Sequence, residues 1–168
     1  MKESRFEPKI VAFLCTWCAY GAADLAGVSR FRYPATLRPV RVMCSAGVSP
    51  HYILRAFQSG ADGVLVGGCH LGDCHYLYGN HATLKRFLFL NALLGFIGLE
   101  ERLRLEWISS AEGQKFARVI TEFTEHIRAL GPSPIRQRME SEEPSWRRDG
   151  PMETQEPARW IETLAQAV

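Results

Sequence analysis

The chain alternates between short apolar runs and longer segments whose apolar residues recur at helical spacing. The short runs are rich in β-branched residues and predict strands at residues 9–14, 38–43, 62–68 and 103–108. The longer segments predict helices at residues 19–28, 49–60, 80–99 and 110–130. Four strand–helix repeats are typical of a parallel sheet covered by helices. The pattern therefore predicts an α/β fold: a small open parallel sheet of about four strands with helices on both faces, flavodoxin-like, followed by a C-terminal extension.

All five cysteines follow predicted strands. Cys15 and Cys18 come after the first strand, Cys44 after the second, and Cys69 and Cys74 after the third. The carboxyl ends of parallel strands lie at one edge of the sheet, where open α/β folds place their sites. We therefore expect the five thiols to converge there.

Several kinds of thiol chemistry fit this cluster. Four thiolates hold a 2Fe–2S cluster, a 4Fe–4S cluster or a structural zinc ion. An odd number of cysteines does not suit a secreted disulfide framework. The C-x2-C pair of Cys15 and Cys18, which opens a helix, also fits a dithiol–disulfide oxidoreductase. Gly67, Gly68 and Gly72 surround the third group of thiols and allow the backbone to approach a ligand closely.

Two histidines also lie in this region. His70 and His75 each follow a cysteine directly. Histidines replace two cysteines in Rieske-type centres, but such residues more often bond a neighbouring carboxylate or backbone group. We therefore expect neither to bind metal.

Charge and hydropathy restrict the partners. The formal net charge of +2 is too small for a nucleic-acid-binding surface. Residues 87–99 are apolar but too few to cross a bilayer, so they predict a buried core helix and no direct membrane insertion. Glu3, Glu7 and Pro8 do not suit the leader of a signal peptide. A cytoplasmic location is expected.

The composition changes after residue 130. Residues 131–156 are rich in Pro, Ser, Glu and Arg and predict a flexible linker. Residues 157–168 place Trp160, Ile161 and Leu164 on one helical face and predict a short docking helix. Its target, a partner or its own domain, stays open. The sequence thus divides into an α/β domain at 1–130, a linker and a terminal helix.

Three stretches resemble one known family: "FLCTWCAYGAADLAG", "RVMCSAGVSPHYILRAFQSGADGVLVGGCHLGDCHYLYGN" and "RLRLEWISSAEGQKF". They are similar to the delta subunits of methyl-viologen-reducing hydrogenases, an iron–sulfur module associated with heterodisulfide reductase-like complexes. The resemblance covers about residues 9–130.

The resemblance implies an electron-transfer subunit with one 2Fe–2S cluster and no catalysis of its own. It would relay electrons between a donor, such as a hydrogenase or formate dehydrogenase, and a flavin-containing heterodisulfide reductase A-like subunit. Complexes of the benzoyl-coenzyme A reductase type are also implied as a setting. Because some relatives lack a cysteine matching Cys18, the implied ligands are Cys15, Cys44, Cys69 and Cys74. The dithiol oxidoreductase and the zinc module remain the alternatives.

Overall fold

The structure is a computed structural model, which describes residues 6–141. Strands and helices alternate along this range, as the sequence predicts. The strands are β1 (Ile10–Cys15), β2 (Leu37–Val42), β3 (Gly63–Gly68) and β4 (Leu103–Trp107). The helices are α1 (Ala19–Val28), α2 (Pro50–Gln58), α3 (Gly79–Phe96), α4 (Gly113–Leu130) and α5 (Pro134–Ser141), with a 3₁₀ turn at Ser45–Gly47.

The four strands form one parallel sheet in the order β2-β1-β3-β4. This order confirms the predicted small open flavodoxin-like sheet. The chain leaves β1 towards β2 and later returns to β3 on the other side of β1, so the topological switch point lies between β1 and β3. Ligands of open α/β folds bind outside the carboxyl ends of strands at such a point.

Helices cover both faces of the sheet. One core contains Leu14 and Leu65 of the sheet with Phe116 and Phe123 of α4, and α1 adds three buried alanines. The opposite core is formed by residues of the sheet, α2 and α3, which include Val64, Val66, Phe57, Leu90 and Leu94. The small residues of α1 let it lie close to α4. A Cβ added at Gly113 of α4 would overlap the backbone of Ala26, so this close contact requires the glycine.

The long helix α3 differs from the sequence expectation. Leu90 and Leu94 are buried as expected, but Phe89 is 68% exposed and Phe96 is 87% exposed. The prediction of a helix buried on most of its surface was therefore wrong for the isolated chain, because only one side of α3 reaches the sheet. No helix within residues 6–141 is long and apolar enough to cross a membrane.

A buried carboxylate holds the segment that follows α4. Asp62 is fully buried at the start of β3 and accepts hydrogen bonds from the backbone N–H groups of Lys9 and Ser133. Its Oδ2 also lies 2.6 Å from Nη1 of Arg136. Arg102, itself buried, donates to the carbonyls of residues 62 and 130–132. These bonds satisfy polar groups that burial would otherwise leave unpaired.

The chain divides into two units, at residues 1–137 and 138–168. Helix α5 begins within the range that the sequence predicts to be a linker. Residues 142–156, and the whole predicted docking helix at 157–168, lie outside the described residues. The division into domain, linker and docking helix therefore stays a prediction.

Replacing Asp62 with Ala should destabilise the fold by about 3 kcal/mol, because two backbone N–H groups lose a buried acceptor and the guanidinium of Arg136 loses its carboxylate partner. Chemical denaturation of the full chain measures this loss. Asp24→Ala, which removes an exposed carboxylate on α1, should change the free energy of unfolding by less than about 0.5 kcal/mol. Equal effects of the two substitutions would contradict the role given to Asp62.

Candidate metal centre

The strand ends bring cysteines from three separate segments together. Cys15 is the last residue of β1, Cys69 directly follows β3, and Cys44 lies two residues beyond β2. The Sγ atoms of Cys15 and Cys69 are 3.7 Å apart, and those of Cys44 and Cys74 are 4.0 Å apart. The predicted convergence of thiols at this edge is therefore present in the structure.

The two sulfur pairs have the spacing that a tetrahedral metal thiolate requires. A metal–sulfur bond of about 2.3 Å and a tetrahedral angle put two thiolates on one metal at about 3.8 Å. Both pairs, Cys15 with Cys69 and Cys44 with Cys74, lie close to this separation. No three His, Cys, Asp or Glu side chains in residues 6–141 meet the geometry for a single ion. The sulfur–sulfur contacts at this edge thus include two thiol pairs.

Cys18 lies beside this arrangement. It is the N-cap residue of α1 and is partly exposed, whereas Cys15, Cys69 and Cys74 are buried. Its side chain interacts with the thiol of Cys69 and helps to raise that residue's pKa. All five cysteines are free thiols.

Burial controls the protonation of three of the thiols. It raises the pKa of Cys15 and Cys44, and it raises the pKa of Cys69 to about 11 with help from the neighbouring Cys18. Cys74 differs: burial also raises its pKa, but backbone N–H groups of Tyr76 and Asn80 outweigh that effect, and the net shift is downward. A bound cation reverses this balance, because a coordinating thiol is deprotonated.

A glycine keeps the Cys44–Cys74 pair together. Gly79 opens α3, and a Cβ at this position would overlap the Sγ of Cys44 and lie 3.0 Å from the Sγ of Cys74. Only a residue without a side chain lets the start of α3 approach both sulfurs this closely. The residues present therefore fit a group held by two thiol pairs.

Hydrogen bonds from α3 fix the loops that carry the cysteines. Asn80 is fully buried and donates from Nδ2 to the carbonyls of Cys69 and His70, at 3.4 Å and 2.6 Å. The hydroxyl of Thr83 lies 2.8 Å from the hydroxyl of Ser45, which follows Cys44. The first turns of α3 thus position the loops after both β2 and β3.

The two histidines make contacts with protein groups. Nε2 of His70 lies 2.7 Å from Oε2 of Glu112, which also accepts the N–H of Ser109 at 2.7 Å. The ring of His75 stacks on Trp17 with centroids 3.9 Å apart. These contacts tie the loop after β3 to the start of α4 and to the loop after β1.

The surface around the thiols is apolar and exposed. Leu77 and Tyr78 are 74% and 77% exposed, and Trp17, Leu71 and Tyr76 are each close to half exposed. Such a patch is typical of a protein–protein contact. The five residues are called the thiol rim below.

The fold and the thiols define a small flavodoxin-like α/β domain with a cysteine cluster at its switch point. Residues 10–131 match the family described as methyl-viologen-reducing hydrogenase, delta subunit. The chain belongs to this family, as the sequence resemblance indicated.

Relatives of two kinds share the domain. The iron–sulfur subunit of an F420-non-reducing hydrogenase of Archaeoglobus profundus is 58% identical over 131 residues, 77% of this chain and 96% of that protein. The vhc iron–sulfur subunit of an F420-non-reducing hydrogenase of Methanococcus voltae is 49% identical over 133 residues, 79% of this chain and 92% of that protein. The A-type subunit of a ferredoxin/F420H2-dependent CoB-CoM heterodisulfide reductase of Methanosarcina acetivorans is 51% identical over 126 residues, 74% of this chain but 16% of that protein.

Sequence reasoning missed the residues that support the thiols. Gly79, Thr83 and Glu112 contact segments far away in the chain, and Asn80 bonds the carbonyls of Cys69 and His70 across a loop. The sequence offered one signal, the pair Gly79–Asn80 at the start of the long helix. That pair predicts a helix start equally well, so it does not reveal the contact with the thiols.

Replacing Gly79 with Ala should reduce the metal that the purified chain retains at least several-fold, because the new methyl group occupies the space of the Cys44 and Cys74 sulfurs. Metal per chain, measured by elemental analysis after anaerobic purification, tests this. Gly95→Ala in the same helix is the matched control, since nothing lies within 4 Å of its added Cβ. Full metal content in Gly79→Ala would contradict the close packing described for this residue.

Proposed function

We propose that the protein is an electron-transfer subunit that carries one 2Fe–2S cluster and works within a hydrogenase or heterodisulfide reductase complex. The observation that carries the proposal is the presence of two close sulfur pairs at the switch point. A 2Fe–2S cluster takes four cysteine thiolates, and two tetrahedral irons need two of them each. Two pairs of thiols with separations of 3.7 Å and 4.0 Å supply that set.

The ligands of the proposed cluster are Cys15, Cys44, Cys69 and Cys74. Cys15 and Cys69 would hold one metal, and Cys44 and Cys74 the other, in keeping with their Sγ separations. When bound, the cluster supplies one-electron redox chemistry. The chain supplies burial, the backbone N–H groups near Cys74 and the bonds that fix the loops, which are the features by which proteins tune such clusters.

The partners are proposed from the relatives. The names of the iron–sulfur relatives associate them with hydrogenases, and the Methanosarcina acetivorans protein contains a similar domain within a heterodisulfide reductase A-type subunit. We accordingly expect a donor oxidoreductase on one side: a hydrogenase, a formate dehydrogenase or a similar enzyme. A flavin-containing heterodisulfide reductase A-like subunit is expected on the other. The exposed thiol rim is suited to the contact through which electrons pass. The chain is not proposed to catalyse a reaction alone, and a cytoplasmic location is expected.

The thiol contacts favour this proposal over a dithiol–disulfide oxidoreductase. Such an enzyme would use Cys15 and Cys18 as a pair, but the thiols of both residues interact with Cys69. A zinc module would leave the same chain colourless. Iron and acid-labile sulfide near two per chain, with visible absorption, distinguish the proposed cluster from both alternatives.

Replacing Cys44 or Cys69 with Ser should remove most of the visible absorption of the anaerobically purified protein, because each substitution takes a thiolate from a different pair. Replacing Cys18 with Ser should leave most of the absorption. Iron, sulfide and electron paramagnetic resonance of the reduced protein provide the measurements. If Cys18→Ser abolishes the signal and Cys15→Ser does not, the ligand assignment is inverted.

Replacing both His70 and His75 with Ala should leave two irons per chain, since the proposed ligands are all cysteines. Electron paramagnetic resonance of the reduced variant checks this, because histidine ligation gives a Rieske-type spectrum. A Rieske-type signal in the wild type that disappears in the double variant would show that the histidines bind the cluster.

A further inference from the structure

The second half of α3 is too apolar for a helix exposed to water. Residues 87–96 read "FLFLNALLGF" and contain no charged side chain. A helix that is hydrophobic on all sides is normally buried on all sides. In the isolated chain, however, α3 covers the sheet with one side only.

The outward side of α3 forms a continuous apolar surface. Leu88, Phe89, Phe96 and Ile97 are 60%, 68%, 87% and 52% exposed, and Leu93 is 40% exposed. At 3.6 residues per turn Leu88, Phe89, Leu93 and Phe96 lie on one side of α3, and Ile97 directly follows its last turn. These five exposed residues are called the α3 surface.

The α3 surface is as large as the largest apolar patches found on monomers. Aromatic side chains bury about 150–250 Å² each when covered, so the five residues together expose on the order of 600 Å². The largest apolar patch on an ordinary monomer is about 300–600 Å², and a standard interface takes about 800 Å² from each partner.

We propose that the α3 surface is the permanent binding site for a heterodisulfide reductase A-like subunit, separate from the thiol rim. This inference rests on the proposed function. It assigns the anchoring contact and the electron-exchange contact to two different surfaces of the domain.

The longer relatives indicate which protein covers the α3 surface. In the Methanosarcina acetivorans and Methanosarcina mazei proteins, a domain like this one makes up 16% of a heterodisulfide reductase A-type subunit. The domain is permanently joined to the rest of that subunit in those chains. The Archaeoglobus profundus subunit is matched over 96% of its length and so consists of little besides this domain. In such a relative a stable interface has to replace the covalent link, and obligate interfaces are large and apolar.

The α3 surface lies far from the thiols, where electrons would be exchanged. Helix α3 has 18 residues and is about 27 Å long. Its first residue packs against Cys44 and Cys74, so Phe96 lies at the end far from the thiols. A contact at Phe96 therefore anchors the domain and leaves the thiol rim accessible.

The charges on α3 define the chemistry of the partner surface. His81, Lys85 and Arg86 lie on the first half of the helix, and the apolar residues occupy the second half. The complementary surface is apolar, with acidic residues at the end that faces Lys85. Salt should weaken the edge of this contact more than its centre.

The test is co-expression of the full chain with the heterodisulfide reductase A-like protein of its own organism, followed by anaerobic purification through a tag on that protein. We expect the wild type to co-purify in equal amounts. Leu88→Glu combined with Phe96→Glu should weaken binding at least 100-fold, because two charges then enter an apolar interface. Val28→Glu is the matched control, since Val28 is 83% exposed on α1, outside the α3 surface.

Three results would overturn the inference. The first is that the wild type fails to bind the A-like protein, and the second is that the double variant binds it as well as the wild type does. The third is that the wild type alone forms a dimer and the double variant forms a monomer. The last result means that a second copy covers α3. Iron and sulfide are measured on the same samples. Wild type without iron refutes the proposed cluster, while the binding comparison still decides the role of the α3 surface.

Discussion

The alignment of β1 with its two neighbours is the constraint on which the thiol centre depends. In the parallel registers, Cys15 lies opposite Val42 of β2, and Leu14 lies opposite Gly67 of β3. Cys44 and Cys69 follow these positions within two residues, so the ends of three strands place their thiols at a similar height along the sheet. A register shift in either strand pair would move a cysteine by a whole residue, roughly 3.3 Å, and separate the sulfurs. The apolar contacts on both faces of the sheet, which fix the register, therefore also fix the thiol pairs.

Thiols held this close resist ionisation unless a cation is present. Burial raises the pKa of Cys15, Cys44 and Cys69, and each thiolate would repel its neighbour. The fold provides partial compensation near Cys74, where backbone N–H groups favour the charged form. The remaining cost is the kind that metal binding offsets, since ligands must be deprotonated and the cation supplies the opposing charge. A bound cluster of the proposed kind would therefore stabilise this sheet edge.

Much of the fold was predictable because its signals are local. The bounds of α1 were predicted to the residue, and each strand was predicted to within one residue at either end. The placement of all five cysteines after strands followed from those bounds and from the parallel topology. The supporting contacts were not predictable, because Asn80 bonds the carbonyl of Cys69 across a loop and Glu112 meets His70, which lies 42 residues earlier in the chain. The exposure of Phe89 and Phe96 was missed for a related reason: hydrophobicity indicates that a residue will be buried, but not by which chain.

The composition of α3 changes along the helix, because its first turns contact the thiol loops and its last turns do not. Its first turns are polar and small where Gly79, Asn80 and Thr83 meet the loops of the thiol centre. Its last turns are uncharged and mostly apolar, although only Leu90 and Leu94 are buried there. A monomeric fold gains nothing from the outward Phe89 and Phe96, and such exposure favours aggregation. Their presence is consistent with a chain that folds around its own thiols and completes its hydrophobic core only in an assembly. A rigid helix that joins both ends would then hold the proposed cluster at a constant distance from the proposed anchoring partner.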